Sequence, residues 1–134
     1  MIVVDCNVIC YFSIPGAKTP LADRLRSLDS QWCVPLLWRS EFRNVLVGQI
    51  RRRAMDLSFA QELVGLTEAM LCEAEFAVDS HAILERAAES GCTAYDCEYV
   101  VLAEELGVRL VTSDRQLLAA FPQRAVALEE YVAR

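Results

Sequence analysis

Along the chain, short apolar runs alternate with longer segments in which apolar residues recur every three or four positions. Short apolar runs rich in β-branched residues are typical of strands buried on both faces, and the longer spacing is typical of helices with one apolar face. The predicted strands are residues 1–4, 32–36, 75–78, 108–112 and 125–128. Because helical segments separate these strands, the pattern predicts an α/β fold with a mainly parallel central sheet.

Local signals mark the expected ends of several helices. Thr19 followed by proline predicts a helix start, as does Ser58 with glutamine three positions later. Thr93 with Asp96 forms a second capping-box pattern. A helix that begins after Asp79 is expected to end at Gly91, because glycine readily adopts the left-handed conformation that terminates helices.

Length and composition favour one soluble domain spanning residues 1–134. The chain has 134 residues, of which 54% are hydrophobic, enough for a core without disulfide cross-links. No apolar run approaches the length of a membrane span, and the N-terminus lacks the basic start of a signal peptide. We therefore expect a cytoplasmic protein with no membrane association, and reduced, buried cysteines.

The formal net charge of −6 differs from that of a typical nucleic-acid-binding protein, which presents a basic surface. An acidic chain remains compatible with nuclease chemistry if several carboxylates gather to hold divalent metal ions. The bound metal would then reverse the local sign of the charge.

Four acidic residues occupy positions that would bring them together: Asp5, Glu41, Asp96 and Asp114. Each one alone is better explained by a structural role, as a helix cap or as an acid favoured by a helix dipole. Asp5 and Asp114, however, follow predicted parallel strands, and Glu41 and Asp96 lie in first turns of helices. Since ligands of open α/β sheets bind beyond the carboxyl ends of the strands, all four can converge on one crevice. Clustered carboxylates repel one another, and Mg²⁺ or Mn²⁺ relieves that repulsion.

Four segments in this order resemble the motifs of PIN-domain ribonucleases, and in particular of VapC-type toxins. Residues 2–7 (IVVDCN) resemble the opening strand with its D-x-N motif, and residues 40–42 (SEF) resemble the second motif. Residues 93–96 (TAYD), followed by Tyr99, Leu102, Ala103 and Glu104, resemble the third. Residues 110–117 (LVTSDRQL) resemble the fourth. The ordered set covers essentially the whole chain.

This resemblance implies a PIN-like three-layer fold, with a central mainly parallel sheet flanked by helices. It implies one or two Mg²⁺ or Mn²⁺ ions held by Asp5, Glu41, Asp96 and Asp114. It also implies that the protein hydrolyses RNA to leave a 5′-phosphate and a 3′-hydroxyl. It assigns supporting roles to Asn7 and Thr112 near the metal site. Local Asx or Ser/Thr turns are an equally good explanation of those two polar residues.

The resemblance also implies an RNA substrate, a homodimer and a cognate antitoxin that inhibits the enzyme. Arg43 and Arg115 are candidates for holding phosphates beside the cleaved bond, whereas Arg51 to Arg53 are better explained as a solvated helix end. Four apolar residues would either offer a groove for an antitoxin helix or fill the core, and the core is favoured: Phe12, Trp38, Phe42 and Leu46.

Two other functions remain open on the sequence alone. An aspartate-based phosphotransfer domain, such as a receiver, also places aspartates after parallel strands. Such domains need a lysine near the phosphate, and the single lysine, Lys18, lies in an early loop instead of after a late strand. The other alternative is a catalytically silent PIN-like binding module, against which the presence of all four acids argues.

Overall fold

The computed structural model describes all residues, 1–134, and contains five strands and eight helices. The strands are β1 (Ile2–Val4), β2 (Trp32–Pro35), β3 (Glu75–Phe76), β4 (Leu110–Thr112) and β5 (Ala125–Ala127). The helices are α1 (Cys6–Ser13), α2 (Thr19–Leu28), α3 (Trp38–Arg51), α4 (Leu57–Leu71), α5 (Ser80–Ser90), α6 (Ala94–Leu106), α7 (Arg115–Ala120) and α8 (Leu128–Val132).

The five strands form one parallel sheet in the order β3-β2-β1-β4-β5. Helices α1 to α4 and α8 pack against one another, while α5 packs on α6, which lies across β1, β2 and β4. This arrangement confirms the predicted α/β three-layer fold with a parallel central sheet. No helix is both long enough and apolar enough to cross a membrane.

The topological switch point of the sheet lies between β1 and β4, where the strand order reverses its direction across the sheet. From β1 the chain proceeds outward through β2 and β3, then returns to β4 on the other side of β1 and continues to β5. In the register of this pair, Val4 lies opposite Val111, so the residues that follow β1 and β4 leave the sheet side by side. Such a switch point is where open parallel sheets form their binding crevice.

One continuous core fills the space between sheet and helices. Trp38, Phe42 and Leu46 are buried there along one face of α3, and Phe12 is half-buried against Trp32, with ring centroids 5.3 Å apart. The structure therefore supports the core explanation for these apolar residues, and the groove alternative does not hold for the three on α3.

Helix ends follow the predicted signals with two differences. Thr93 and Asp79 cap α6 and α5, and Gly91 ends α5 in the left-handed conformation at φ +75°. Helix α4 begins one residue before Ser58, because the carboxylate of Asp56 accepts the Phe59 N–H at 2.8 Å and so serves as its cap. Helix α8, which follows β5, is not predicted from the sequence.

Candidate active site

Asp5 is the residue at which β1 passes into α1. Its backbone N–H continues the sheet by donating to Val111, and its carboxylate caps α1 by accepting the Cys6 N–H at 2.7 Å. The same carboxylate accepts hydrogen bonds from the Asn7 amide at 3.3 Å and the Thr112 hydroxyl at 2.7 Å. Although it is only 7% exposed, Asp5 is thus surrounded by donors that fix its orientation.

Thr112 joins the two acids that follow β1 and β4. While its hydroxyl donates to Asp5, the same oxygen accepts the backbone N–H of Asp114 at 3.0 Å. Asp114 in turn uses Oδ1 to accept the N–H groups of Gln116 and Leu117, which caps α7. These bonds hold Asp114 by one carboxylate oxygen.

Glu41 lies in the first turn of α3 and is fixed by a residue from another helix. The hydroxyl of Tyr99 on α6 donates to Glu41 Oε1 at 2.6 Å. Tyr99 is fully buried, so the hydroxyl of a core residue reaches Glu41 at the edge of the site. The bond is short, as expected for a hydroxyl that donates to a carboxylate.

Asp96 comes from the start of α6, where its backbone N–H donates to the Thr93 hydroxyl at 3.1 Å. Tyr99 is three residues further along the same helix and therefore lies on the same face. The start of α6 thus supplies both an acid and the hydroxyl that orients Glu41.

The four acids line one crevice with a volume of about 340 Å³. Its other lining residues are Cys6, Asn7, Cys10, Asn44 and Val45. Sequence analysis identified the four acids and Asn7. It missed Asn44, which lies three residues after Glu41, one turn along α3. It named Tyr99, which bears the same relation to Asp96, only as part of the third motif and gave it no role. That helical spacing was the signal that could have indicated both.

The pKa values of Asp5, Glu41 and Asp96 are raised in the crevice. Burial, and secondarily the charges of Asp96 and Asp114, raise the pKa of Asp5 to about 6, although bonds from Thr112 and Cys6 oppose the change. Burial also raises the pKa of Glu41, with the Tyr99 hydrogen bond opposing it and Asp5 and Asp96 adding to it. The pKa of Asp96 is raised mainly by burial and further by Asp114, against the Thr93 hydrogen bond. The acids therefore share one electrostatic environment that lacks a positive charge.

The donor set fits a hard divalent cation, since it consists of carboxylate oxygens with an unrelieved mutual repulsion. No three cysteine, histidine or acidic side chains are arranged to enclose a metal ion by themselves. An open arrangement suits Mg²⁺, which usually keeps several waters and takes one or two carboxylates together with substrate phosphates.

The two arginines predicted to hold phosphates lie outside the lining of this crevice. Arg43 is directed toward Glu68 on α4, with a nitrogen–oxygen distance of 3.8 Å. Arg115 is exposed at the start of α7. Arg39, one turn before Arg43, forms a two-point ion pair with Glu75 at 2.6 and 2.8 Å and so joins α3 to β3.

Residues 2–122 match the PIN domain family. The chain belongs to the PIN-domain family. Over 127 residues it is 32% identical to Ribonuclease VapC3 of Pyrobaculum aerophilum, an alignment covering 90% of this chain and 95% of that protein. The fold is shared with PAE2754 from Pyrobaculum aerophilum, whose crystal structure superposes with a TM-score of 0.79 at 24% identity, over 99% of this chain and 94% of that one. The resemblance to PIN-domain, VapC-like proteins predicted from the four motifs is thereby confirmed.

Proposed function

We propose that this PIN domain is a metal-dependent endoribonuclease and the toxin of a toxin–antitoxin pair. The observation that carries the proposal is the convergence of Asp5, Glu41, Asp96 and Asp114, from four different elements, on one crevice at the carboxyl ends of β1 and β4. The similarity to Ribonuclease VapC3 over nearly the whole chain supports RNA as the substrate.

In this proposal the four acids hold one or two Mg²⁺ or Mn²⁺ ions. When bound, the metal supplies Lewis-acid activation of water and offsets the charge of the phosphodiester. Thr112 and Asn7 orient Asp5, and Tyr99 orients Glu41, so that the carboxylates are in position before metal and substrate arrive. The burial of Asp5 and Thr112 strengthens the hydrogen bond between them.

Cleavage of total RNA by the purified protein tests this proposal. We expect cutting with Mn²⁺ or Mg²⁺ that stops with EDTA and in Asp96→Asn. Asp56→Asn is the matched control, because Asp56 caps α4 outside the crevice and asparagine caps a helix equally well. Cutting that survives EDTA, or that Asp56→Asn abolishes as fully as Asp96→Asn, would contradict the proposal.

The catalytically silent binding module is the second candidate, favoured by the lack of three side chains that enclose a metal ion directly. Calorimetry with Mn²⁺ separates the two: a folded protein that takes up no Mn²⁺ is a silent module. The phosphotransfer alternative is disfavoured, because Lys18 lies over the Tyr11 ring and pairs with Glu129 at 3.3 Å, outside the carboxylate crevice.

A homodimer and an antitoxin partner belong to the same proposal, supported by apolar side chains exposed on α4. Leu66 is 63% exposed, and Phe59, seven residues before it and therefore on the same face of α4, is 40% exposed. Such a patch is typical of surfaces that contact another protein. The protein is expected to sediment as a dimer that Leu66→Glu weakens. A monomeric wild type would exclude the dimer.

A further inference from the structure

A second cavity of about 460 Å³ adjoins the carboxylate crevice and has no role in the chemistry proposed above. It lies between α1, the loop that follows α1, and α3. Cys10 and Val45 line both cavities, so the two are neighbours along one groove. A ligand bound at the carboxylates can therefore extend past Cys10 and Val45 into this cavity.

The groove extends away from the acids along one face of α3. On α3, Glu41 and Val45 line the crevice, and Val45 and Gln49 line the second cavity, each four residues apart and hence on one face. Gln49 is thus about 12 Å from Glu41 along the helix axis. Cys6 and Cys10 follow the same four-residue spacing on the facing helix α1.

The chemistry of the second cavity matches a nucleobase. Ile14 and Val45 give it apolar walls, Tyr11 contributes an aromatic ring, and Gln49 contributes an amide that can both donate and accept hydrogen bonds. A base has an apolar face, which packs on aromatic and aliphatic side chains, and a polar edge, which pairs with amides.

One basic residue, Lys18, lines this cavity, and a second, Arg52, lies at the C-terminal end of α3, three residues after Gln49. The Lys18 ammonium lies 5.0 Å from the centroid of the Tyr11 ring and pairs with Glu129 at 3.3 Å. Because this ion pair is exposed to solvent and therefore weak, a phosphate can replace Glu129 as the partner of Lys18. At the far end of α3, the guanidinium of Arg52 lies over Gly48, where a Cβ atom would meet Arg52 Nη1 at 3.3 Å. Gly48 therefore makes room for a positive charge beside Gln49 in a chain whose net charge is −6.

The wall formed by the loop after α1 is held in place. The Thr19 hydroxyl donates to the carbonyl of Tyr11 at 2.7 Å and accepts the N–H of Gly16 at 3.0 Å. Because these bonds order the loop in the free protein, a ligand would not have to order it on binding.

We propose that this cavity binds the base of the nucleotide next to the cleaved phosphodiester, with Lys18 and Arg52 holding backbone phosphates. The assignment rests on the proposed ribonuclease function and deepens it: Tyr11 and Gln49 determine which nucleotide is accepted beside the cut. Residues of α1 and α3 other than the carboxylates then determine which RNA sequence the enzyme prefers.

Binding of fluorescein-labelled single-stranded RNA decamers tests the assignment, with oligo-A, oligo-C, oligo-G and oligo-U compared by anisotropy. Ca²⁺ replaces Mn²⁺ so that binding is measured separately from cleavage. We expect the wild type to prefer one decamer, and Tyr11→Leu and Gln49→Ala each to lower that affinity about tenfold, the effect of losing one base contact. Arg52→Gln is expected to reduce the slope of log K against log salt by about 0.7, the loss of one phosphate contact.

Two matched variants serve as controls. Tyr131→Leu removes a tyrosine that also lies beneath a basic group, Arg134, at 5.8 Å, and Gln123→Ala removes an amide from a separate cavity of about 510 Å³. Both should bind RNA like the wild type. The assignment is overturned if they lose as much affinity as Tyr11→Leu and Gln49→Ala, or if those two variants keep wild-type affinity and preference.

Photocrosslinking of the wild type to oligo-U that contains 4-thiouridine gives a readout independent of any variant. The expected crosslink is on Tyr11, and crosslinks confined to residues outside this cavity contradict the assignment. If RNA is bound through Tyr11 and Gln49 but never cut, the ribonuclease proposal fails, and only the binding of a base in this cavity stands. If RNA is cut but Tyr11→Leu and Gln49→Ala leave RNA binding unchanged, the ribonuclease proposal stands and the cavity assignment fails. A wild type that binds no RNA overturns both proposals.

Discussion

At the scale of single residues, the site depends on side chains that position the acids as much as on the acids themselves. Tyr99 and Thr112 are both buried, and each donates its hydroxyl to a carboxylate from a different element. A tyrosine in an apolar helical pattern predicts a core residue, and Tyr99 is one. Its hydroxyl has a second role because the fold brings the start of α6 within hydrogen-bond distance of Glu41 on α3, which periodicity along one helix does not reveal.

Tyr99→Phe removes the hydroxyl that donates to Glu41 while keeping the buried ring. We expect Mn²⁺ affinity and RNA cleavage to fall about 10- to 100-fold, as is usual when the partner of a metal-binding side chain is lost. Calorimetry and cleavage rates measure the two effects. Tyr95→Phe, on an exposed tyrosine of the same helix, should change neither, and an unaffected Tyr99→Phe would remove Tyr99 from the site.

Thr112→Val replaces the hydroxyl that links Asp5 to Asp114 by a methyl group of similar size. It leaves the Asp114 N–H without a partner and Asp5 Oδ2 with only the 3.3 Å bond from Asn7, which should lower the free energy of unfolding by about 1–3 kcal/mol. Thr112→Ser retains the hydroxyl and should restore Mn²⁺ binding. Equal Mn²⁺ affinity in both variants would show that the hydroxyl has no positioning role.

At the scale of elements, the caps that define the helices also deliver the acids. Asp5 begins α1 and Asp114 begins α7, so the cap and the ligand explanations hold for the same side chains. The sequence therefore predicted both the helix starts and the candidate acids from one set of residues. It misplaced the start of α4, because Ser58 and Asp56 both fit a cap pattern and only the folded backbone chooses Asp56.

Asp114→Asn separates the two roles of that residue. Asparagine caps α7 as well as aspartate does, so stability should be retained while metal-dependent cleavage is lost. Asp114→Ala should lose cleavage and also about 1 kcal/mol of stability. Asp79→Ala, which removes the cap of α5, should cost similar stability with cleavage intact. Full activity in Asp114→Asn would exclude Asp114 from the site.

The link between α3 and β3 predicts a dependence of stability on acid pH. Hydrogen bonds from Arg39 and, secondarily, Trp38 hold the pKa of Glu75 below its ordinary value, against the effect of burial. The ionised pair therefore stabilises the fold above about pH 4.3, the unfolded pKa, and the effect is lost as pH falls through the folded pKa. Urea unfolding at several pH values should show a smaller acid-induced loss in Glu75→Gln. An identical pH profile in both proteins would contradict this role.

At the scale of the whole molecule, the parallel sheet gathers acids that are far apart in sequence. The order of strands and helices predicted the fold class, and the strand ends predicted which acids converge. The sequence did not reveal that Arg43 lies outside the crevice lining, because its helical position allows contact with either the crevice or α4. Packing of α3 on α4 decides this by placing Glu68 within reach of Arg43.

Gathering these acids should cost stability when no cation is bound. Burial raises the pKa of Asp96, and the charge of Asp114 raises it further. Replacing the charged Asp96 side chain by a neutral one should therefore increase the stability of the metal-free protein near pH 7. Asp96→Asn is expected to raise the melting temperature measured in EDTA and to abolish the further rise that Mn²⁺ gives the wild type. A lower melting temperature in EDTA would contradict the repulsion inferred for the crevice.

The central claim is that the four carboxylates form a metal-binding site, and Mn²⁺ titration by calorimetry tests it most directly. The wild type should bind one or two ions, Asp96→Asn should lose at least about tenfold in affinity, and Asp56→Asn should bind like the wild type. A folded wild type that binds no Mn²⁺, or equal binding by all three proteins, would contradict the claim.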